Sequence, residues 1–192
     1  MTGEITFSKD EEDAKLEWAQ FVHNNNDKFK KFLDFGSKCV EKARLIRSHY
    51  EEGQIFSDFV MISIECLGEI AKKAEEDDYA QQMEKMDKEI AFKEPQRDNN
   101  PGTQKQALKE WGNFVKENKN EFKEFIKFLR ELSKQAESID KKYEVNLYSE
   151  FADEMFVYAV IVEVYYALSN ISRFKRHLQR FQVKEFIHFL KS

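Results

Sequence analysis

The residues with chemical potential are few, and their spacing constrains what they could do. The four histidines are His23, His49, His177 and His188, and the two cysteines are Cys39 and Cys66. Glu185-Phe186-Ile187-His188 places a carboxylate and an imidazole one helical turn apart. Di-iron helical bundles use that spacing twice, with two further glutamates on facing helices. No second copy occurs here, so the pair reads as a surface pair between Phe186 and Phe189, and no metal is expected. Arg44 and His49 put a cation and a base on one helix, but at the same places in the second half of the chain stand Glu137 and Lys142. Cys39 and Cys66 lack metal-ligand spacing and follow a polar, acidic N-terminus, which suits free core thiols in a reducing interior. No Gly-rich phosphate loop and no Ser or Cys nucleophile motif is present. These absences lead to the expectation of a protein that is not an enzyme and needs no cofactor.

Charge offers a second kind of chemistry. The 192-residue chain has a formal net charge of −5, which speaks against a general nucleic-acid binder. Residues 1–100 hold 15 Lys/Arg against 23 Asp/Glu, whereas residues 101–192 hold 16 against 13, so the two ends differ in sign. Arg173, Arg176, Arg180 and Lys184 recur at spacings of three and four, forming one cationic helix face beside Phe174, Leu178 and Phe181. A second basic group, Lys38, Lys42, Arg44 and Arg47, lies towards the end of the first long helical pattern. Such faces attract anionic lipid headgroups, at about 1 kcal/mol per charge near the surface, or acidic protein surfaces. These eight residues are the candidate lipid- or partner-binding set.

The elements that must position these residues are helices. Only six Gly and two Pro occur, 35% of residues are charged, and eighteen Phe supply large rings for helix–helix contacts. Ser8-Lys9-Asp10-Glu11 is a capping box, and Trp18, Phe21, Val22, Phe29, Phe32 and Phe35 follow on one stripe that continues to Tyr50 as a single long helix. Gly36 weakens that helix and Gly53 marks a bend. Residues 55–74 are strongly apolar, Glu75–Asp78 form a solvated corner, and a shorter amphipathic segment runs from Tyr79 to about Phe92. Beyond a Pro/Asn/Gly linker at residues 95–103, Leu108 to about Ile139 and Leu147 to about Leu190 read as helices. The apolar stretch Met155–Leu168 is shorter than the ~18–20 residues a membrane span needs and contains Glu163, so it reads as a buried core helix.

The chain also repeats itself. At an offset of 93 residues, Glu17, Trp18, Phe21, Val22, Asn25, Phe29, Lys30, Phe32, Phe35 and Tyr50 meet Glu110, Trp111, Phe114, Val115, Asn118, Phe122, Lys123, Phe125, Phe128 and Tyr143. With one residue deleted, Ile55–Phe59 meets Leu147–Phe151. The expected fold class is therefore all-α: a bundle of five or six long amphipathic helices built from two related repeats, residues 1–94 and 104–192, joined by the linker 95–103. Neither repeat can bury its stripe alone, so they pack on each other or within a homodimer.

Two resemblances complete the reading. Lys38–Tyr50, with Asp58-Phe59 and Cys66-Leu67-Gly68, resembles the first long helix of sorting-nexin BAR domains, and Phe151–Gln182 is similar to their second. That resemblance implies a dimeric, curved coiled coil whose basic face and tips bind anionic membrane. The Arg44–His49 spacing resembles that of the HEPN ribonucleases, all-helical proteins that often dimerise; because the other half lacks it, a charged helix face is the preferred reading. The expected function is a cytoplasmic, membrane-peripheral scaffolding module. The alternative is a protein-interaction adaptor that binds its partner in a Phe-lined groove between the repeats.

Overall fold

Ser8 starts the first helix as its side chain predicts. The Ser8 Oγ accepts from the Glu11 backbone N–H at 3.3 Å, and the Glu11 carboxylate accepts from the Ser8 N–H at 2.8 Å. In the computed structural model, which describes residues 8–50, 54–92 and 104–168, seven α-helices follow and no strand occurs among the described residues. They are α1 (Lys9–Asn24), α2 (Asn26–His49), α3 (Gln54–Lys73), α4 (Asp77–Phe92), α5 (Gln104–Glu117), α6 (Lys119–Tyr143) and α7 (Ser149–Ala167). The all-α class is as expected, with seven described helices instead of five or six. Gly53, the linker 95–103 and residues 169–192 lie outside the described residues.

The added helices come from two breaks. The first Phe stripe does not run through a single helix, because α1 ends and α2 begins around Asn25. The Asn25 side-chain amide donates to the Phe21 carbonyl at 2.8 Å, and its own carbonyl accepts from Lys28 and Phe29. Asn118 does the same between α5 and α6, donating to the Phe114 carbonyl at 2.7 Å. Asparagine competes for nearby backbone groups and so opens a helix at little cost. The apolar spacing continues across each break, which is why periodicity alone reads straight through it.

The two halves exchange their first helices. α1 packs on α6 and α5 packs on α2, while α3 lies on α2, α7 on α6, and α3 against α7. At the centre the Phe stripes meet. Phe29 and Phe128 lie edge-to-face at 5.1 Å, Phe35 and Phe122 at 5.0 Å, and Phe32 stacks on Phe125 at 5.9 Å. Pairs of this geometry add about 0.5–1.5 kcal/mol beyond the area they bury. Trp18 packs on Tyr148 and Phe151 and donates its indole N–H to the Lys73 carbonyl at 2.8 Å. Trp111 packs on Phe56 and Phe59 and donates to the Tyr165 carbonyl, also at 2.8 Å. Each tryptophan thus lies between the third helices of both halves, and these contacts recur at offsets of 92–93 residues.

Two corners complete the frame. After α3, Glu75 adopts the left-handed conformation, and the Glu76 N–H reaches back to the Ala71 carbonyl. After α6, Glu144 does likewise. There the buried Asp140 carboxylate accepts from the backbone N–H groups of Leu147 (3.1 Å) and Tyr148 (2.8 Å), aiming the chain into α7. Gly36 sits mid-helix facing α3, where any Cβ would collide with the buried Leu67 side chain. Its helix-weakening cost is accepted for the close approach of α2 and α3.

Candidate functional site

Of the eight candidate binding residues, the described four lie on α2, and two of them, Lys38 and Lys42, reach towards α5 and its junction with α6. Lys38 Nζ donates to Asn118 Oδ1 at 2.7 Å, the amide that itself breaks the chain between α5 and α6. Lys42 forms an ion pair with Glu110 of α5, which also accepts the Tyr50 hydroxyl at 2.8 Å. Burial works against the Glu110 charge, but the Lys42 and Tyr50 hydrogen bonds outweigh it and hold the carboxyl below its usual range. A matching contact closes the opposite side: Lys142 and Tyr143 both donate to Glu17, whose carboxyl they likewise hold down. Lys38 and Lys42 therefore tie the halves together. Arg44 and Arg47 are partly buried on the same helix. Arg173, Arg176, Arg180 and Lys184 lie outside the described residues, as do Glu185 and His188.

The Phe-lined groove expected between the halves is filled. Phe29, Phe32, Phe35, Phe122, Phe125 and Phe128 are all buried against one another, because each stripe is the other's ligand. Cys39 and Cys66 are buried free thiols, and burial pushes both far above the ordinary thiol range, where a nucleophilic thiolate does not form. Among the described residues no group of three or more His, Cys, Asp or Glu could hold a metal ion. Among the same residues no helix is long and apolar enough to cross a membrane.

α7 borders two surfaces of different character. Along the α3–α7 seam, Glu154 is partly withdrawn from water and faces Glu69, Glu150 and Glu65; burial first, then these charges, raise its carboxyl above the usual range. On the outer side of α6 and α7 the character reverses. Arg130 pairs with Glu163 across the two helices at 2.6 Å, and Lys123 and Lys127 stand exposed on α6. On the same side of α7 and two turns before Glu163, Phe156 is 56% exposed, with Val160 partly buried one turn further on. An exposed Phe sharing a helix side with an interhelical ion pair is the arrangement on this surface most suited to recognition.

Sequence reasoning missed this face, since the 155–168 stretch reads as wholly buried. Met155, Tyr158, Ala159, Ile161, Val162 and Tyr165 are buried as expected, but Phe156 points outward. α7 is apolar almost all round, so no periodicity marks its exposed side. Comparison with protein-family models, with curated proteins and with solved structures gave no match.

Proposed function

We propose that this protein is a non-catalytic helical scaffold that binds a protein partner through the outer face of α6 and α7. The observation that carries this reading is the exposed Phe156, on the same side of α7 as the Arg130–Glu163 pair, with Lys127 and Lys123 exposed on α6 one and two turns before Arg130, on a body whose other large rings are mostly turned inward. The recurrence of contacts at 92–93 residues supports a further element of the reading, that the body is two copies of one helical unit. A folded duplicate with exchanged α1 and α5 is a rigid platform, which suits a scaffold better than a flexible clamp.

A second reading, peripheral docking on anionic membrane in the manner of BAR domains, rests on Arg173, Arg176, Arg180 and Lys184 in the sequence. Lys38 and Lys42 do not add to it, since their ammonium groups are engaged with Asn118 and Glu110. Co-sedimentation with phosphatidylserine vesicles at low and high salt separates the two. The scaffold reading expects the protein to stay in the supernatant at both. Retention at low salt that is lost on Arg173→Glu, Arg176→Glu and Arg180→Glu would replace it with the membrane reading.

A further inference from the structure

The N-terminal half carries a helix on the surface that corresponds to the exposed face of α7. α4 packs against α3 with Met83 close to Gly68, and Ile64 and Ala71 on either side of that glycine are buried. Its start is tied to α2 by Lys30, which pairs with Glu76 at 3.6 Å, and by the Tyr79 hydroxyl, which donates to Asp34. Tyr79, Ala80 and Met86 complete the apolar side of α4 against the core. α4 is therefore an acidic amphipathic helix seated between α2 and α3.

The same positions in the C-terminal half line the outer face of α6 and α7. Ninety-three residues after Lys30 and Asp34 stand Lys123 and Lys127, and ninety-two after Ile64, Gly68 and Ala71 stand Phe156, Val160 and Glu163. The offsets are those at which the tryptophan contacts recur. Two changes matter. Asp34, which accepts the Tyr79 hydroxyl, is answered by the cation Lys127, which favours a carboxylate in an occupant. Gly68, which admits Met83, is answered by Val160, which leaves room for only a small residue there.

We propose that this face is a docking groove for an acidic amphipathic α-helix of a partner protein, held in the pose that α4 takes on α2 and α3. Phe156 and Val160 receive its apolar stripe, and Lys123 and Lys127 pair with carboxylates near its N-terminal end. This is helix-in-groove recognition with an ionic rim. The chain's own residues 169–192 are the competing occupant by connection, but with six Lys/Arg, Arg173, Arg176 and Arg180 among them, against the single acid Glu185 they match a lysine-bearing face less well than an acidic helix does. The proposal rests on the protein-binding reading above and specifies its partner.

The chain supplies its own probe. A fluorescent peptide of residues 76–92 carrying Met83→Ala holds six acidic residues against two lysines. Titrated against the full chain, it is expected to bind saturably, with an affinity lowered about five- to tenfold by Lys123→Glu with Lys127→Glu, and by a similar factor by Phe156→Ser. Lys30→Glu serves as the control and leaves binding unchanged. Absence of saturable binding, or insensitivity to the α6 and α7 substitutions, overturns the groove. Loss on Lys30→Glu alone does so too, since the peptide then exchanges into the seat of α4. If only a chain ending at residue 168 binds, the occupant is the protein's own C-terminal segment. If Phe156→Ser instead abolishes a concentration-dependent dimer in sedimentation, it is a second copy. Either result overturns the partner helix. Circular dichroism of every variant separates lost binding from lost fold, and the vesicle experiment above tests the scaffold reading independently.

Discussion

The Tyr50 hydroxyl of α2 donates to the Glu110 carboxylate of α5 at 2.8 Å, and the two residues belong to different halves of the chain. Tyr143 makes the counterpart contact to Glu17 at 2.9 Å. The C-terminal end of each half's second helix thus clasps the first helix of the other half.

These clasps make stability depend on pH in a predictable direction. Glu17 and Glu110 are both held below their ordinary range by hydrogen bonds from lysine and tyrosine, with burial acting against them. A lowered carboxyl contributes stability above its unfolded value and loses it as pH falls through the folded one. Glu110→Gln is expected to cost about 0.5–1 kcal/mol at pH 7, the value being modest because the pair is only partly buried and its desolvation offsets much of the attraction. Urea titrations should show that cost shrinking as pH falls below the ordinary carboxyl value of 4.5 and vanishing once Glu110 is protonated in the folded protein.

Unfolding is expected to be a single event. Trp18 touches Tyr148 and Phe151 of the C-terminal half, and Trp111 touches Phe56 and Phe59 of the N-terminal half. Neither ring can leave its site while the other half stays intact. Trp18→Phe and Trp111→Phe each leave a single tryptophan and each lose an indole hydrogen bond, costing about 1–2 kcal/mol. Fluorescence and circular dichroism midpoints should coincide within each variant. Separate midpoints would show that the halves unfold independently.

Gly36→Ala sets two effects against each other. Removing a mid-helix glycine gains about 1 kcal/mol in propensity, while overpacking a closed core costs about 1–3 kcal/mol. The added methyl meets the Leu67 side chain, which is wholly buried and has nowhere to swing. Net destabilisation of about 1–2 kcal/mol is expected. In a double-mutant cycle with Leu67→Ala the two changes should be strongly non-additive, because the smaller residue makes room for the methyl.

Both thiols should be silent in the native protein. Cys39 and Cys66 are buried and held far above the usual thiol range by loss of hydration. Reaction with an aromatic disulfide reagent at pH 8 is expected to be at least about a hundredfold slower than in denaturant. Fast native labelling of either cysteine would mean that the bundle opens locally.

The exposed seam offers one gain. Glu154 is raised by burial first and then by Glu69, Glu150 and Glu65, so its charged form opposes folding at neutral pH. Glu154→Gln should stabilise by about 0.5 kcal/mol at pH 7, or about 1–2 °C in Tm. The advantage should disappear in acid, once the wild-type carboxyl is protonated.

Much of the architecture was legible in the residues. The Ser8 capping box, the all-helical class and the burial of Trp18, Trp111 and the Phe stripes follow from local propensity and from spacing, which act within a few turns of chain. The breaks at Asn25 and Asn118 were not legible, because the apolar stripe continues across both while a single side-chain amide redirects the backbone. Nor could spacing show that the Phe stripes would close on each other and fill the groove expected between the halves, since that depends on how two distant surfaces meet. Lys38 and Lys42 reveal the same limit: their charge is evident from the sequence, but whether it faces an external ligand or Asn118 and Glu110 is decided by packing. By itself, the sequence determined which residues are apolar, charged and helical. The tertiary structure alone decided that Phe156 is exposed while its neighbours Met155 and Tyr158 are buried, because α7 is apolar on nearly every side and the positions of α3, α6 and the tryptophans of α1 and α5 determine which sides are covered.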